Sequence, residues 1–397
     1  MKKLHIHLTN KQSAWLQAAA MVLFTTLISL LLTSFIFTDF LSLEMFAPME
    51  KKVDFQLSDI YNSVEATRPV KTLSNDVVVV NIDGCNREQA LSTVTLVAQC
   101  GPKAIGLDVM FPIAKDSAKN GYLKTVVAKI PCLVFSTGVV YNEKDGTYSR
   151  DFLSFCESEK DFKPHHIGYV NLDTSRPWEV VRSFVPCVRT KEGDTLNAMT
   201  FELARIASPE RAQQLLDRGN FSETIDYTSY EIEVIQAEEL NDPYEKQKLK
   251  DKVVFVGAMS DVKDTYLTPL RDPIAGVMIH AHVVQTILSG SYIRESSTWF
   301  NWFIAIILCM TFISLLWIAR KRMSNVGNLL IRISQFVIMF VMVWLGCYIY
   351  SAHHLYMDFA PAIWMLGLGA IAFDISFALY GIIRNITNAT RQIHFKK

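Results

Sequence analysis

The chain has 397 residues and carries 39 Lys and Arg against 39 Asp and Glu, so no electrostatic footprint points to nucleic acid or a polyanionic partner. Half of the residues are hydrophobic, and much of that content lies in four long apolar stretches, which excludes an ordinary soluble protein. Seven cysteines without any CxxC or Cys/His ligand spacing make a structural zinc site improbable.

The first stretch, Trp15 to Phe37, has no charge and is long enough to cross a hydrocarbon core of roughly 30 Å. Spans are expected at residues 14–38, 299–319, 329–351 and 359–383, the third with Arg332 near its edge and the fourth with Asp374 inside it. Lys and Arg cluster in the flanks 1–13, 320–328 and 384–397, whereas the short loop 352–358 has none. By the positive-inside rule both termini are cytoplasmic, and residues 39–298 form a periplasmic domain of an inner-membrane protein in contact with the lipid bilayer. The apolar stretch exceeds a signal-peptide core and no small-x-small cleavage site follows it, so it reads as an uncleaved anchor.

Within the outer domain a linker rich in charge and turn residues precedes Asp76 to Ile82 (DVVVVNI), a continuous β-branched run typical of a strand covered on both faces. A helix is expected over about Arg87 to Gln99, stopped by Gly101-Pro102, then a second buried strand at Lys103 to Phe111. A helix over Ser117 to Lys129 and a strand at Pro131 to Ser136 continue the alternation, which implies a parallel sheet. Ile167 to Leu172 and Ser183 to Arg189 read as antiparallel or edge strands, with a helix at Leu196 to Ala207. Parallel character returns at Lys252 to Gly257 and in a helix from Gly276 to Leu288. The fold class is therefore a membrane protein of four transmembrane helices with an inserted extracytoplasmic α/β domain, its sheet mostly parallel and flanked by helices. Five cysteines fall in this domain, where disulfides persist, and Cys156 with Cys187 is the preferred pair, with buried free thiols as the alternative.

Ligands of open parallel sheets bind beyond the carboxyl ends of the strands. Asp83, Asp108, Asp261 and Asp264 fall at or just after such ends, and His280 lies on the helical face of Val283, Val284 and Ile287, turned into the domain. His282 shares a face with Gln285, Thr286 and Ser289 and is expected to meet solvent. Asp83, Asp108, Asp264 and His280 in one crevice are suited to a cation, a cationic or polyhydroxyl ligand, or acid and base chemistry. The plainer reading makes each Asp a cap or turn brace and His280 a core residue. No cofactor is specified, and any metal is unknown.

The blocks VVVVNIDG, KAIGLDVMF, HIGYVNL, KVVFVGAMSDVKDTYLTPL and GVMIHAHVVQTIL, followed by three closely spaced spans, resemble the second type of CHASE domain, an extracellular sensory domain associated with bacterial cyclases and histidine kinases. The resemblance covers nearly all of residues 40–395. It implies an extracytoplasmic sensor whose characteristic positions fall here on Asp83, Asp108, Asp264 with Thr268-Pro269, and His280. Asn86-Arg87 replaces the tryptophan- and arginine-rich segment common after the first block.

Residues 384–397 are too few for a cyclase or kinase, so no enzymatic output is expected in this chain. The expected function is reception of an unknown small ligand or ion and regulation of a separate membrane or cytoplasmic protein. Asp374, costly within a span unless paired, is either a structural polar clasp inside the bundle, with Gln335 and Arg332 nearest in depth, or a relay or contact for that partner. A structural or assembly subunit of a membrane complex and a periplasmic hydrolase-like enzyme are the alternatives. Only Ser289 to Thr298 separates the last outer helix from the second span.

Overall fold

The computed structural model describes residues 10–35, 56–67, 72–111, 117–142, 144, 146–151, 155, 161–172, 179–270, 273–322 and 325–395. The chain divides into two compact units, one of Asp54–Arg294 and one combining Met1–Val53 with Glu295–Lys397.

In the second of these, α1 (Asn10–Phe35) precedes the α/β domain in sequence and belongs with three later helices. The α/β domain then begins with α2 (Leu57–Ala66), inside the stretch that the sequence presents as a linker. Its Asp59 is held by Arg182, whose Nε and Nη2 donate to the two carboxylate oxygens at 2.9 and 2.8 Å. That tertiary pairing is not visible in local composition.

β1 (Thr72–Asn81) follows, and its Val77, Val78, Val79 and Val80 have no exposed surface. Val78 and Val80 pack on one face with α3 (Arg87–Gln99), while Val77 and Val79 pack on the other. Each such valine contributes about 1.5–3 kcal/mol of burial. Asn86 starts α3 by accepting from the backbone of Glu88 and Gln89, and the Gln89 side chain accepts in return from the Asn86 N–H, a reciprocal cap.

β2 (Ala104–Asp108), α4 (Ser117–Lys129), β3 (Leu133–Thr137) and β4 (His166–Tyr169) continue the alternation. After α5 (Met199–Ala207), α6 (Pro209–Asp217), β5 (Tyr230–Gln236) and the short α7 (Pro243–Lys248), the chain re-enters the sheet as β6 (Val253–Gly257) and closes the domain with α8 (Gly276–Ser289). The strands stand in the order β5-β1-β6-β2-β3-β4, and every neighbouring pair is parallel. One apolar layer holds α3 and α4, and the opposite layer holds α5 and α8. A Cβ on Gly168 would lie 2.3 Å from Met199 Cα, so a bare backbone in β4 is what lets the start of α5 lie against that strand.

The strand at Ile167, expected as antiparallel or edge, is an edge strand, paired parallel with β3. Three expectations are corrected. Ser183 to Arg189 is not one strand: Ser183–Phe184 pairs antiparallel with Glu223–Thr224, and Cys187–Arg189 pairs with Thr195–Asn197, both outside the main sheet. The helix expected from Leu196 starts at Met199, because Leu196 belongs to the second of those ribbons. His282 is buried, its ring 5.3 Å from that of Tyr227, because α8 is covered on more than the sheet side and its Gln285 and Thr286 are buried too. Cys156 lies outside the described residues, and Cys85, Cys100, Cys132 and Cys187 are free thiols.

In the other unit, α9 (Thr298–Arg322), α10 (Asn325–His353) and α11 (Ala360–Phe395) join α1. All four contain a segment long and apolar enough to cross a membrane. Three helices donate into adjacent carbonyls of α11. Ser29 Oγ and Cys309 Sγ reach the Met365 oxygen at 2.9 and 3.6 Å, and Gln335 Nε2 reaches that of Leu366 at 2.8 Å. Phe336, Phe340, Trp344 and Tyr348, four residues apart on α10, form an exposed apolar stripe of the kind that meets hydrocarbon.

Candidate functional site

The carboxyl edge of the sheet positions the site. β2 ends at Asp108, paired in register with Gly257 at the end of β6. After β6 a short turn at Val262–Asp264, capped by Asp261 accepting from the Lys263 N–H at 2.9 Å, leads into the ribbon Thr265–Tyr266, which pairs with Ile274–Ala275 and so returns the chain to the start of α8. Two glycines clear the space. A Cβ on Gly257 would stand 2.8 Å from Val277 and 3.3 Å from Asp108 Cβ, and one on Gly276 would stand 2.7 and 2.9 Å from the carboxylate oxygens of Asp264.

Asp108, Asp264, Tyr266 and His280 act on one another here. Burial pushes the Asp108 carboxyl up to about 7. Asp108 keeps some accessible surface as a residue, yet protein surrounds its carboxyl group. Asp264 is raised to about 6, first by burial and then by the neighbouring Asp108 charge, against the opposing influence of His280 and of a hydrogen bond from the Tyr266 hydroxyl. Tyr266 rises to about 12 through burial and the two carboxylates. His280 falls to about 4 because burial outweighs both Asp264 and its hydrogen bond to the Val170 carbonyl. Its ring lies nearly parallel to that of Phe255, with centroids 6.5 Å apart. Near neutral pH the cluster therefore holds a neutral imidazole beside two carboxyls that titrate close to physiological pH.

Asp83, at the end of β1, is engaged with partners of its own. Its Oδ1 accepts from the Met259 and Ser260 N–H groups at 2.9 and 3.0 Å, and its Oδ2 from Ser260 Oγ at 2.7 Å and Asn81 Nδ2 at 3.0 Å. Burial opposes the charge, but these four bonds outweigh it and hold the carboxyl below the ordinary range. Asp83 thus ties the end of β1 to the loop after β6. Asp261 serves its own turn.

Tyr266 is the member that sequence reasoning missed. It stands two residues after Asp264, in the ribbon that follows the short turn ending there, and that nearness in sequence was the available signal. Among the described residues no group of three or more His, Cys, Asp and Glu side chains is placed to hold a metal ion. What the cluster offers is proton exchange between two carboxyls, and acceptors and a hydroxyl for a ligand.

Asp374 is also paired. Arg320 Nη1 donates to one carboxylate oxygen at 3.0 Å and Arg332 Nη2 to the other at 2.5 Å. Both carboxylate oxygens are engaged by the chain's own arginines.

A parallel α/β domain in a chain bearing four helices long and apolar enough to cross a membrane fits a multi-pass membrane protein. The chain belongs to the CHASE2 domain family, whose match extends over residues 28–319. CHASE2 domains are sensory and extracellular. No curated protein and no solved structure matches the chain.

Proposed function

We propose that the outer domain receives a chemical stimulus at the Asp108, Asp264, Tyr266 and His280 cluster and that the chain regulates a separate protein rather than catalysing a reaction. The observation that carries this reading is the convergence of those four groups on the first turns of α8 and the sheet edge beside it, a place where a change in charge acts directly on a main-chain element. Membership in a sensory family supports it. In this reading both termini are cytoplasmic and the sensory domain is periplasmic, supported by Lys2, Lys3, Arg320, Lys321, Arg384 and Arg391 flanking the apolar helices.

Two experiments test it. The full-length chain is purified in mild detergent with chemical cross-linking, as wild type and as Asp264→Asn, at external pH 5.5 and 7.5. A specific partner whose yield depends on pH in the wild type and not in the variant is expected. Recovery of the chain alone under all four conditions overturns partner regulation. A reporter active only outside the cytoplasm, fused after Lys397, is expected to be silent, and activity there overturns the orientation.

A further inference from the structure

His280 presents a second side to the domain. Beyond the carboxyl cluster it lines a cavity of about 60 Å³, partly open to solvent and bordered by the strand at Val139, the edge strand β4, the ribbon at Ser183 and the start of α5. At roughly 10–15 Å³ of such volume for each ordered water, the space takes about four waters or a molecule of about four to six non-hydrogen atoms.

The walls are chemically mixed. Tyr148, Asn171, Ser183, Thr200 and His280 bring hydroxyl, amide and imidazole groups, and the remainder is apolar or aromatic. Among the described residues none that lines the cavity is Asp, Glu, Lys or Arg. A charged occupant would lose part of its hydration and meet no counter-charge among the described lining residues, a penalty that a neutral one escapes. His280 adds no charge at neutral pH, since burial keeps its ring uncharged. Asn171 is engaged with Val139, accepting from its N–H at 2.8 Å and donating to its carbonyl at 2.9 Å, and so fixes one wall in place.

We infer that this cavity is a binding site for a small uncharged amphipathic molecule, one with a hydrogen-bonding end and a short branched or linear apolar body. The assignment rests on the receptor reading above for its purpose and on the cavity for its geometry. Val283 lines the same space one turn after His280, so an occupant meets two successive positions on one face of α8, the helix whose first turn faces Asp264. Occupancy and the charge of the carboxyl pair thus act on a single element.

The test uses the full-length chain in detergent micelles with methyl-labelled valines, titrated with isobutanol and isobutyramide and, in parallel, with the similarly shaped but charged isobutyrate and isobutylammonium. The neutral probes are expected to shift the Val139, Val188 and Val283 methyl signals saturably, and the charged ones to bind at least tenfold more weakly. Ala198→Leu and Ser183→Leu, each of which fills the space from a different wall, are expected to abolish the shifts while leaving valine signals elsewhere unchanged. Equal response to charged and neutral probes, shifts that survive both filling variants, or no saturable shift in the wild type overturns the inference. Asp264→Asn breaks the carboxyl pair and is expected to keep probe binding, so a failure of the carboxyl reading leaves this result standing.

Discussion

The Asp264 carboxylate occupies the place where a side chain at Gly276 would stand, 2.7 Å from the position of the missing Cβ. The first turn of α8 and the acidic cluster are therefore interlocked. Gly276→Ala is expected to destabilise the domain by about 1–3 kcal/mol, the usual range for overpacking. Asp264→Ala should relieve part of that loss, so the double variant is expected to melt above the sum of the single effects. Thermal melting of the full-length chain in detergent measures it, and strict additivity would contradict the interlock.

The buried carboxyls set a pH dependence with a definite sign. Asp108 is raised from 3.8 to about 7, so the folded state keeps a proton that the unfolded chain has lost, and the stabilisation present at low pH fades as pH rises through 7. His280 is lowered from 6.5 to about 4 and works the other way, losing stability as pH falls from 6.5 through 4. Between pH 6.5 and 8 the carboxyl effect is the larger, and the end of the His280 effect offsets part of it. The domain is expected to lose about 0.5 kcal/mol across that window. Asp108→Asn should flatten the slope, and an unchanged slope in that variant would remove Asp108 as its source.

Asp83→Ala deletes four hydrogen bonds between the end of β1 and the loop after β6. A loss of about 1–3 kcal/mol is expected, with faster amide exchange at Met259 and Ser260. Because this carboxyl is held below its ordinary range, its contribution is present above the usual carboxylate pKa and disappears as pH falls through the folded value. Exchange rates at Met259 and Ser260 that match the wild type would show that the loop holds itself.

Asp374→Leu leaves Arg320 and Arg332 without their shared carboxylate. Removal of one partner is the damaging change, and a loss on the order of 1–3 kcal/mol is expected. Replacing Asp374 and Arg332 together by Leu should recover part of it. A single variant that melts like the wild type would instead free Asp374 for a contact outside the chain.

The buried parallel strands were legible because strands covered on both faces leave unbroken apolar runs, as DVVVVNI and KVVFVG do. β5 was not, since Glu231 and Glu233 alternate with Ile232 and Val234 in a strand that sits at an edge and keeps one side wet. The same limit hid β4's direction: a short edge strand carries no sign of parallel or antiparallel pairing. Helical periodicity placed His280 correctly inward and His282 wrongly outward, because periodicity reports the most apolar face and says nothing of a second covering layer. At the site, strand-end reasoning brought Asp108, Asp264 and His280 to one edge. It could not foresee Asp83's own partners, Met259 and Ser260, because they lie far away in the chain.

Three polar contacts of the helical unit meet α11 at one level. Ser29, Cys309 and Gln335, from three different helices, bond to the carbonyls of two consecutive residues, Met365 and Leu366. Sliding any of those helices along α11 by one turn, about 5.4 Å, breaks its bond. Asp374, nine residues further along α11, ties α9 and α10 to it a second time through Arg320 and Arg332, so those two helices are pinned at two levels and resist tilting as well as sliding.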